Sequence, residues 1–458
     1  MLQSDKVKSS EEGKCNLKRA YEEAKLTQDS LAHKAKVSVD TVKRLLGTKP
    51  CPNGVERWAV INITKELGLK PTDIVAPKDW YLLQQLPEEF EALIVEKTRS
   101  FCGRQFVFDA FEQFLEKQPK GYFTVVGEAG MGKSALAAKY VSEHYAICYF
   151  NVLAERRNRP ELFLESIRGQ LIRRYQLQAA EKANLATLLE KVSQKLPFGE
   201  RLVIVVDALD EVEQEPGQNL LHLPMVLPDR VYFLLTRRPY SLDNKRLTVS
   251  PGIPVEELDL TTGEYKGSNY ADVKAYIHLM LDRDLTHQAS LRKWVEARNL
   301  QEEEFVEQVS AKSENNFMYL RYVLSAIAEG IYDDLTLKQL PQGLQEYYQT
   351  HWVRMGMNEG AQETMVIVLF ILVEVGTPIP CGMVAAISGE EEYKVYGILE
   401  EKWREFLQKQ MLEEELCYSI YHASFLDFLK TKLELKPNRA VFQYVNQLIV
   451  SYIAKKMT

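Results

Sequence analysis

Gly121-Tyr-Phe-Thr-Val-Val-Gly127-Glu-Ala-Gly130-Met-Gly132-Lys133-Ser134-Ala135-Leu-Ala-Ala-Lys-Tyr-Val141 decides the reading of this chain. Tyr122–Val126 is a short run of β-branched and aromatic residues, Gly127–Lys133 is punctuated by glycine, and an alanine-rich helical stretch begins at Ser134. The G-x-x-x-x-G-K-S spacing of Gly127, Gly132, Lys133 and Ser134 is a P-loop in the strand-loop-helix context that the motif requires. Its glycines let backbone N–H groups of Gly127, Glu128, Ala129, Gly130, Met131, Gly132 and Ala135 approach phosphate. The helix N-terminus adds positive potential, Lys133 reaches the β/γ-phosphates, and the Ser134 hydroxyl is a Mg²⁺ ligand.

A second stretch, Arg201-Leu-Val-Ile-Val-Val-Asp207-Ala-Leu-Asp210-Glu211, is a continuous apolar run ending in carboxylates, as expected of a central parallel strand whose C-terminal end faces a ligand. Asp207 would hold Mg²⁺ through water, and Asp210 or Glu211 would orient or deprotonate an attacking water. A further strand, Val231–Leu235, leads into Thr236-Arg237-Arg238-Pro239, where an arginine can sense a γ-phosphate or form a solvated basic turn. With a strand at Ile147–Asn151 and a helix at Pro160–Tyr175, the alternation predicts a parallel sheet of about five strands.

The 458 residues correspond to roughly three domains by length. Ordinary apolar (46%) and charged (26%) fractions exclude a disordered or collagen-like chain. The net charge of −7 argues against general coating by nucleic acid, yet residues 13–79 hold thirteen Lys/Arg against eight Asp/Glu, a local +5 that leaves −12 elsewhere. Six dispersed cysteines without a C-x-x-C pair suggest neither a disulfide framework nor a zinc site. They fit a reducing cytoplasm. No signal-peptide pattern opens the sequence, and the longest apolar run, Met365–Val373, is too short to span a membrane.

Within the basic segment, Thr27 can cap one short helix and Ser38 a second, whose Val39, Val42 and Leu45 face inward and whose Asp40, Thr41, Lys43 and Arg44 face outward. That is helix-turn-helix patterning. The spacing L-T-Q-x-x-L-A-x-x-A-x-V-S-x-x-T-V-x-R resembles the Cro/repressor family over about sixty residues. The resemblance implies a phosphate contact from Gln28 and base reading by Thr41, Lys43 and Arg44, with use as a protein-protein adaptor as the open alternative.

From about Phe101 to Phe428 the chain resembles the NACHT-type STAND ATPases, signal-transducing relatives of AAA+ proteins that include innate-immune receptors. The resemblance rests on Phe101-Cys-Gly103-Arg104, GEAGMGKSAL, VIVVDALDE, LLTRRP and Tyr421-His422-Ala-Ser-Phe-Leu-Asp-Phe-Leu429, which occur in the family's order. It implies an ADP-bound closed monomer that opens to an ATP-bound homo-oligomer. It also implies an adenine-lining role for Phe101, Gly103 and Arg104, a sensor arginine at Arg238, and a contact from His422 to the ADP β-phosphate. A histidine in this position without the motif would more often be a packed core residue. The sequence departs from the family at Glu314-Asn-Asn-Phe-Met-Tyr-Leu320, where several branches carry Gly-x-Pro. It ends at Thr458, where a sensor array usually follows, so either the sequence stops short of one or sensing is done otherwise.

The expected fold is multidomain α and α/β: an all-α helix-turn-helix (13–79), a P-loop parallel-sheet domain (97–250), a helical lid (251–343) and a winged helix (344–458), with a hinge at Pro77–Pro87. ATP/ADP and Mg are the expected cofactors; no membrane partner is expected. The expected function is a slow, switch-type ATPase with the helix-turn-helix as output, in prokaryotic immunity or signalling. The alternatives are an ATP-controlled DNA-binding transcriptional regulator and an AAA+ DNA-loading ATPase.

Overall fold

The computed structural model describes residues 6–52, 54–76, 80, 86–152, 157–178, 183–197, 199–212, 219–239, 246–355, 357, 363–412, 414–432 and 440–457. Most of the Pro77–Pro87 hinge therefore lies outside the described residues. Among the described residues no helix is long and apolar enough to cross a membrane.

The described residues of the N-terminal unit include the α-helices α1 (Glu11–Glu23), α2 (Gln28–Lys34), α3 (Val39–Leu45) and α4 (Arg57–Leu67), and a minimal antiparallel pair, β1 (Lys6–Val7) with β2 (Val55–Glu56). Both expected caps are made: Thr27 accepts from the N–H of Ser30 and Ser38 from that of Thr41, satisfying donors that a helix start leaves unpaired. Leu17, Leu31, Val42, Leu45, Val60, Ile63 and Ile74 close a core that belongs to this unit alone. Val39, expected inward, is only half-buried at the first position of α3.

The central unit is built on β3 (Gly121–Val126), β4 (Ile147–Phe150), β5 (Leu202–Asp207), β6 (Val231–Arg237) and β7 (Val255–Asp259), all parallel in the order β4-β5-β6-β3-β7. Helices α5 (Glu88–Thr98), α6 (Gln105–Lys117), α7 (Lys133–His144), α8 (Pro160–Tyr175) and α9 (Leu185–Lys195) belong to this unit. The register brings Val126 level with Arg237 and with Asp259, and Phe150 level with Asp207, so the carboxyl ends of the strands form one rim. Strand β7 corrects the sequence reading, which makes residues 251–343 a helical lid. Its Val255, Glu256 and Glu257 are exposed and only Leu258 is buried. An edge strand of this kind carries no apolar run to announce it.

The lid comprises α10 (Lys266–Asp282), α11 (Gln288–Glu296), α12 (Glu302–Ser313) and α13 (Phe317–Ala328). The C-terminal unit follows with α14 (Gly343–Arg354), α15 (Glu363–Val375), β8 (Ile379–Pro380), α16 (Cys381–Ser388), α17 (Glu392–Gly397), β9 (Leu407–Leu412), β10 (Glu415–Ile420), α18 (Ala423–Lys430) and α19 (Ala440–Met457). Its strands form an antiparallel sheet ordered β8-β10-β9. Sequence pattern reads Ala385–Gln408 as helical, but the backbone there is broken: Gly389 ends α16 at φ 74°, a 3-10 turn covers Arg404–Phe406, and β9 begins at Leu407. Buried Leu399, Trp403 and Phe406 retain helix-like spacing across the break, which explains the sequence reading.

Lid and C-terminal unit share one apolar core. Tyr322 of α13 stacks on Tyr347 of α14 at 5.1 Å, and Phe406 stacks on Phe425 at 4.3 Å. The P-loop unit has its own core. The described residues therefore gather into three apolar cores, one of them common to the lid and the C-terminal unit.

Because the N-terminal core is separate, Leu31→Ala, at a fully buried position, should cost that unit about 2–5 kcal/mol. Limited proteolysis should then release residues 6–76 while the 121–260 region keeps its wild-type resistance. Equal loss of resistance in both regions would refute the independence of the cores.

Candidate functional site

The loop between β3 and α7 turns through Gly130 (φ 86°) and Gly132 (φ 84°), both left-handed, a geometry that turns successive N–H groups into an anion-binding concavity. Lys133 Nζ donates to the carbonyls of Gly127 (2.6 Å) and Glu128 (2.9 Å), so the amine is held across the mouth of the loop. Burial lowers its pKa, partly opposed by Asp210 and Asp207. Met131 is buried, Glu128 is exposed, and Ala129, Ser134 and Ala135 are half-buried.

The carboxylates lie directly opposite. Buried Asp207 accepts from the hydroxyls of Thr236 and Ser134; burial raises its pKa and those two bonds pull it down, with the net shift upward. Thr236 also accepts the N–H of Ala208 at 2.9 Å, tying the end of β5 to β6. Asp210 follows in a 3-10 turn (Leu209–Glu211), where its Oδ1 accepts the backbone N–H of Arg238 at 3.0 Å and its Oδ2 lies 3.2 Å from Arg238 Nε. Glu211, half-buried, lends its carbonyl to Asn158.

The two arginines ending β6 diverge. Arg237 is buried and donates to Glu257 on edge strand β7 at 2.7 Å, whereas Arg238 turns to the site and also pairs with Asp427 of α18. Burial lowers the Arg238 pKa but Asp427, Asp210 and Glu211 raise it further, so the group is a permanent cation.

His422 arrives from the far end of the sequence as the N-cap of α18. Its Nδ1 accepts the N–H of Ser424 (3.2 Å) and lies 2.6 Å from the Ser424 hydroxyl, which in turn meets the Tyr348 hydroxyl at 2.8 Å. With Nδ1 occupied as an acceptor, the neutral ring carries its proton on Nε2. Burial, then Lys97, Arg238, Lys133 and Arg321, push its pKa down to about 3. Those cations have carboxylates of their own: Glu96 lies beside Lys97 and Arg321, and Asp210 and Asp427 beside Arg238.

Phe101, Gly103 and Arg104 sit beside the lid. Arg104 is 2% exposed at φ 64°. Its guanidinium donates to Met131 O (2.6 Å) and to Asn269, and its N–H to Asp272 (3.0 Å), so it braces the P-loop against α10. Burial brings its pKa to about 10 against the pull of Asp272. Gly103, at φ 72°, lies close against the side chain of Asp272. Phe101 packs 6.2 Å from Phe108 with Lys139 Nζ 5.9 Å from its ring centroid.

The segment at residues 314–320 has a structural role of its own. Asn316 caps α13 and donates to Ala129 O (2.9 Å), while the N–H groups of Phe317 (2.9 Å) and Met318 (3.3 Å) donate to Gly130 O. The lid grips the outer carbonyls of the P-loop. A third junction joins α5, α13 and the residue after β10: Tyr421 donates to Glu96 (2.9 Å) and accepts from Lys97 (3.1 Å) and Arg321. Thr236, Asn316, Tyr421 and Asp427 are thus site residues to which sequence reading gave no role. Thr236, Tyr421 and Asp427 lay inside motifs already recognised.

Gln28, Thr41, Lys43 and Arg44 lie apart in the N-terminal unit, Gln28 as the first residue of α2 and the others along α3; the Thr41 hydroxyl is 2.9 Å from that of Ser38.

The family described as Nephrocystin 3, N-terminal, matches residues 102–236, which contain the P-loop, Asp207 and Thr236. A search of the curated proteins found no match. Solved structures with some likeness include a variant of Thermotoga maritima RuvB (16% identity, 73% of this chain and 97% of that one, TM-score 0.27). Another is Drosophila ORC bound to DNA (12% identity, 74% and 98%, TM-score 0.31). At these values the likenesses carry no functional argument.

Two outcomes follow from the geometry. Gly130→Ala would place a Cβ 2.3 Å from Asn316 Oδ1 at a left-handed φ, so amide exchange at Phe317 and Met318 should accelerate; unchanged exchange would contradict the clasp. The second concerns His422. Because its folded pKa lies below the unfolded value of about 6.5, the unfolded chain binds a proton that the folded one refuses. Stability should be unaffected by His422 above that pH and fall as pH drops from about 6.5 toward 3. His422→Gln should lose less thermal stability than wild type between pH 7 and pH 5, with the contribution of half-buried His351, whose pKa burial also lowers to about 4, common to both.

Proposed function

We propose that this chain is a nucleotide-controlled switch of the STAND type: an ATPase of the AAA+ kind that holds ADP in a closed monomer and opens to a homo-oligomer with ATP. The observation that carries this is the convergence on one rim of Lys133, Ser134, Asp207, Asp210 and Arg238 from the P-loop unit with His422 from the C-terminal unit.

The donors fit Mg-nucleotide. Ser134 and Asp207 offer adjacent hard oxygens, the set Mg²⁺ prefers, and the loop N–H groups with Lys133 suit phosphate. Mg²⁺ would supply neutralisation of phosphate charge. Lys133 would exchange its two carbonyl partners for β/γ-phosphate oxygens, and His422 Nε2–H would donate to a β-phosphate. Phe101 and Gly103 would line the adenine, with Arg104 acting through the Met131 carbonyl it already holds. Asp210, or Glu211 beside it, would orient the attacking water. Both Asp210 oxygens are engaged by Arg238, which favours slow turnover. Loss of the His422 contact on opening provides the differential affinity that a switch requires.

The full chain purified without added nucleotide should carry ADP at about one per chain. Lys133→Ala should purify empty while retaining the wild-type circular dichroism. A nucleotide-free wild type that cycles ATP rapidly would favour a motor-like ATPase.

A second reading concerns output. The capped α3 presents Thr41, Lys43 and Arg44 in a +5 segment, which supports DNA contact, with Gln28 on phosphate. Lys43→Ala should then reduce the salt slope of DNA binding by about one; binding that is absent, or indifferent to salt, would point instead to a protein adaptor.

A further inference from the structure

Arg238 is held by two carboxylates of unlike character. Asp210, from its own unit, grips the backbone N–H and Nε, and its side chain is only 17% exposed; Asp427, from α18, pairs with Nη1 and is 45% exposed. The helix that carries Asp427 also begins with His422. We propose that Asp427 is a positioning residue that competes with a γ-phosphate for Arg238, so that docking of α18 reads the difference between nucleoside tri- and diphosphate. This rests on the nucleotide reading above.

The physical argument is an exchange of partners. A guanidinium prefers the bidentate, doubly charged oxygens of a terminal phosphate to a single, half-solvated carboxylate. Asp427 is the partner that can return to water at least desolvation cost, whereas Asp210 is tied to Arg238 through backbone as well as side chain. A diphosphate leaves Arg238 on Asp427 and allows His422 to remain in place. A triphosphate draws Arg238 inward, frees Asp427, and removes the ion pair that fastens α18 to the rim.

The test uses the full chain stripped of nucleotide, with fluorescent ADP and a non-hydrolysable fluorescent ATP analogue in Mg²⁺. Asp427→Asn keeps the shape of the side chain and should tighten the ATP analogue about tenfold relative to ADP, while Asp427→Glu should restore the wild-type ratio. In an Arg238→Gln background, Asp427→Asn should change the ratio no further. Arg238→Gln alone should weaken the ATP analogue relative to ADP, which gives an independent check if Asp427→Asn fails to fold. An unchanged ratio in Asp427→Asn with both nucleotides bound, or an equal shift without Arg238, overturns the latch and leaves the nucleotide reading intact. Failure of the wild type to bind either nucleotide overturns both.

Discussion

The carbonyl oxygen of Gly130 is the point on which the arrangement turns. The glycine's left-handed backbone turns the loop's N–H groups inward and this carbonyl outward, and the outward group is taken by the first two N–H groups of α13. Asn316 adds the neighbouring carbonyl of Ala129, and Arg104 takes that of Met131. Three consecutive peptide groups of the phosphate loop are thus fastened from behind by the lid and by the segment before α6. Any ligand that adjusts the loop's inner face must strain or satisfy those outer bonds, so lid and loop are coupled by backbone geometry itself.

That coupling extends through packing. The lid shares its core with the C-terminal unit, and close-packed interiors shift as blocks. One short segment of the C-terminal unit returns several polar contacts to the P-loop unit: Tyr421 to Glu96 and Lys97, His422 near Lys133, and Asp427 to Arg238. The interface is apolar where the blocks must stay joined and charged where they meet the rim. Ion pairs of this partly exposed kind are individually weak, which suits contacts that a ligand has to break.

Local chemistry made much of this legible in the sequence. The P-loop spacing, the apolar run into Asp207 and the caps Thr27 and Ser38 are each determined by a few adjacent residues, and the structure places them as read. Edge strand β7 escaped because Val255-Glu-Glu-Leu-Asp259 has no buried face to impose a pattern. The helix read across Ala385–Gln408 failed because buried Leu399, Trp403 and Phe406 repeat at helical intervals through a broken backbone. Arg104 could be marked as a site residue, but its partners Asn269 and Asp272 lie more than 160 positions away, so its bracing role required the fold. The same holds for Asp427, whose motif was recognised while its partner Arg238 was 189 residues distant.

The central claim is that nucleotide at the P-loop is reported to the segment from Glu415 to Lys432. Hydrogen exchange of that segment in the full chain, with Mg-ADP and with a non-hydrolysable Mg-ATP analogue, tests it most directly. The account predicts slow exchange in α18 with ADP and faster exchange with the triphosphate, while β3 and β5 remain equally protected in both. Identical exchange of residues 415–432 in the two states, with both nucleotides bound, would contradict it.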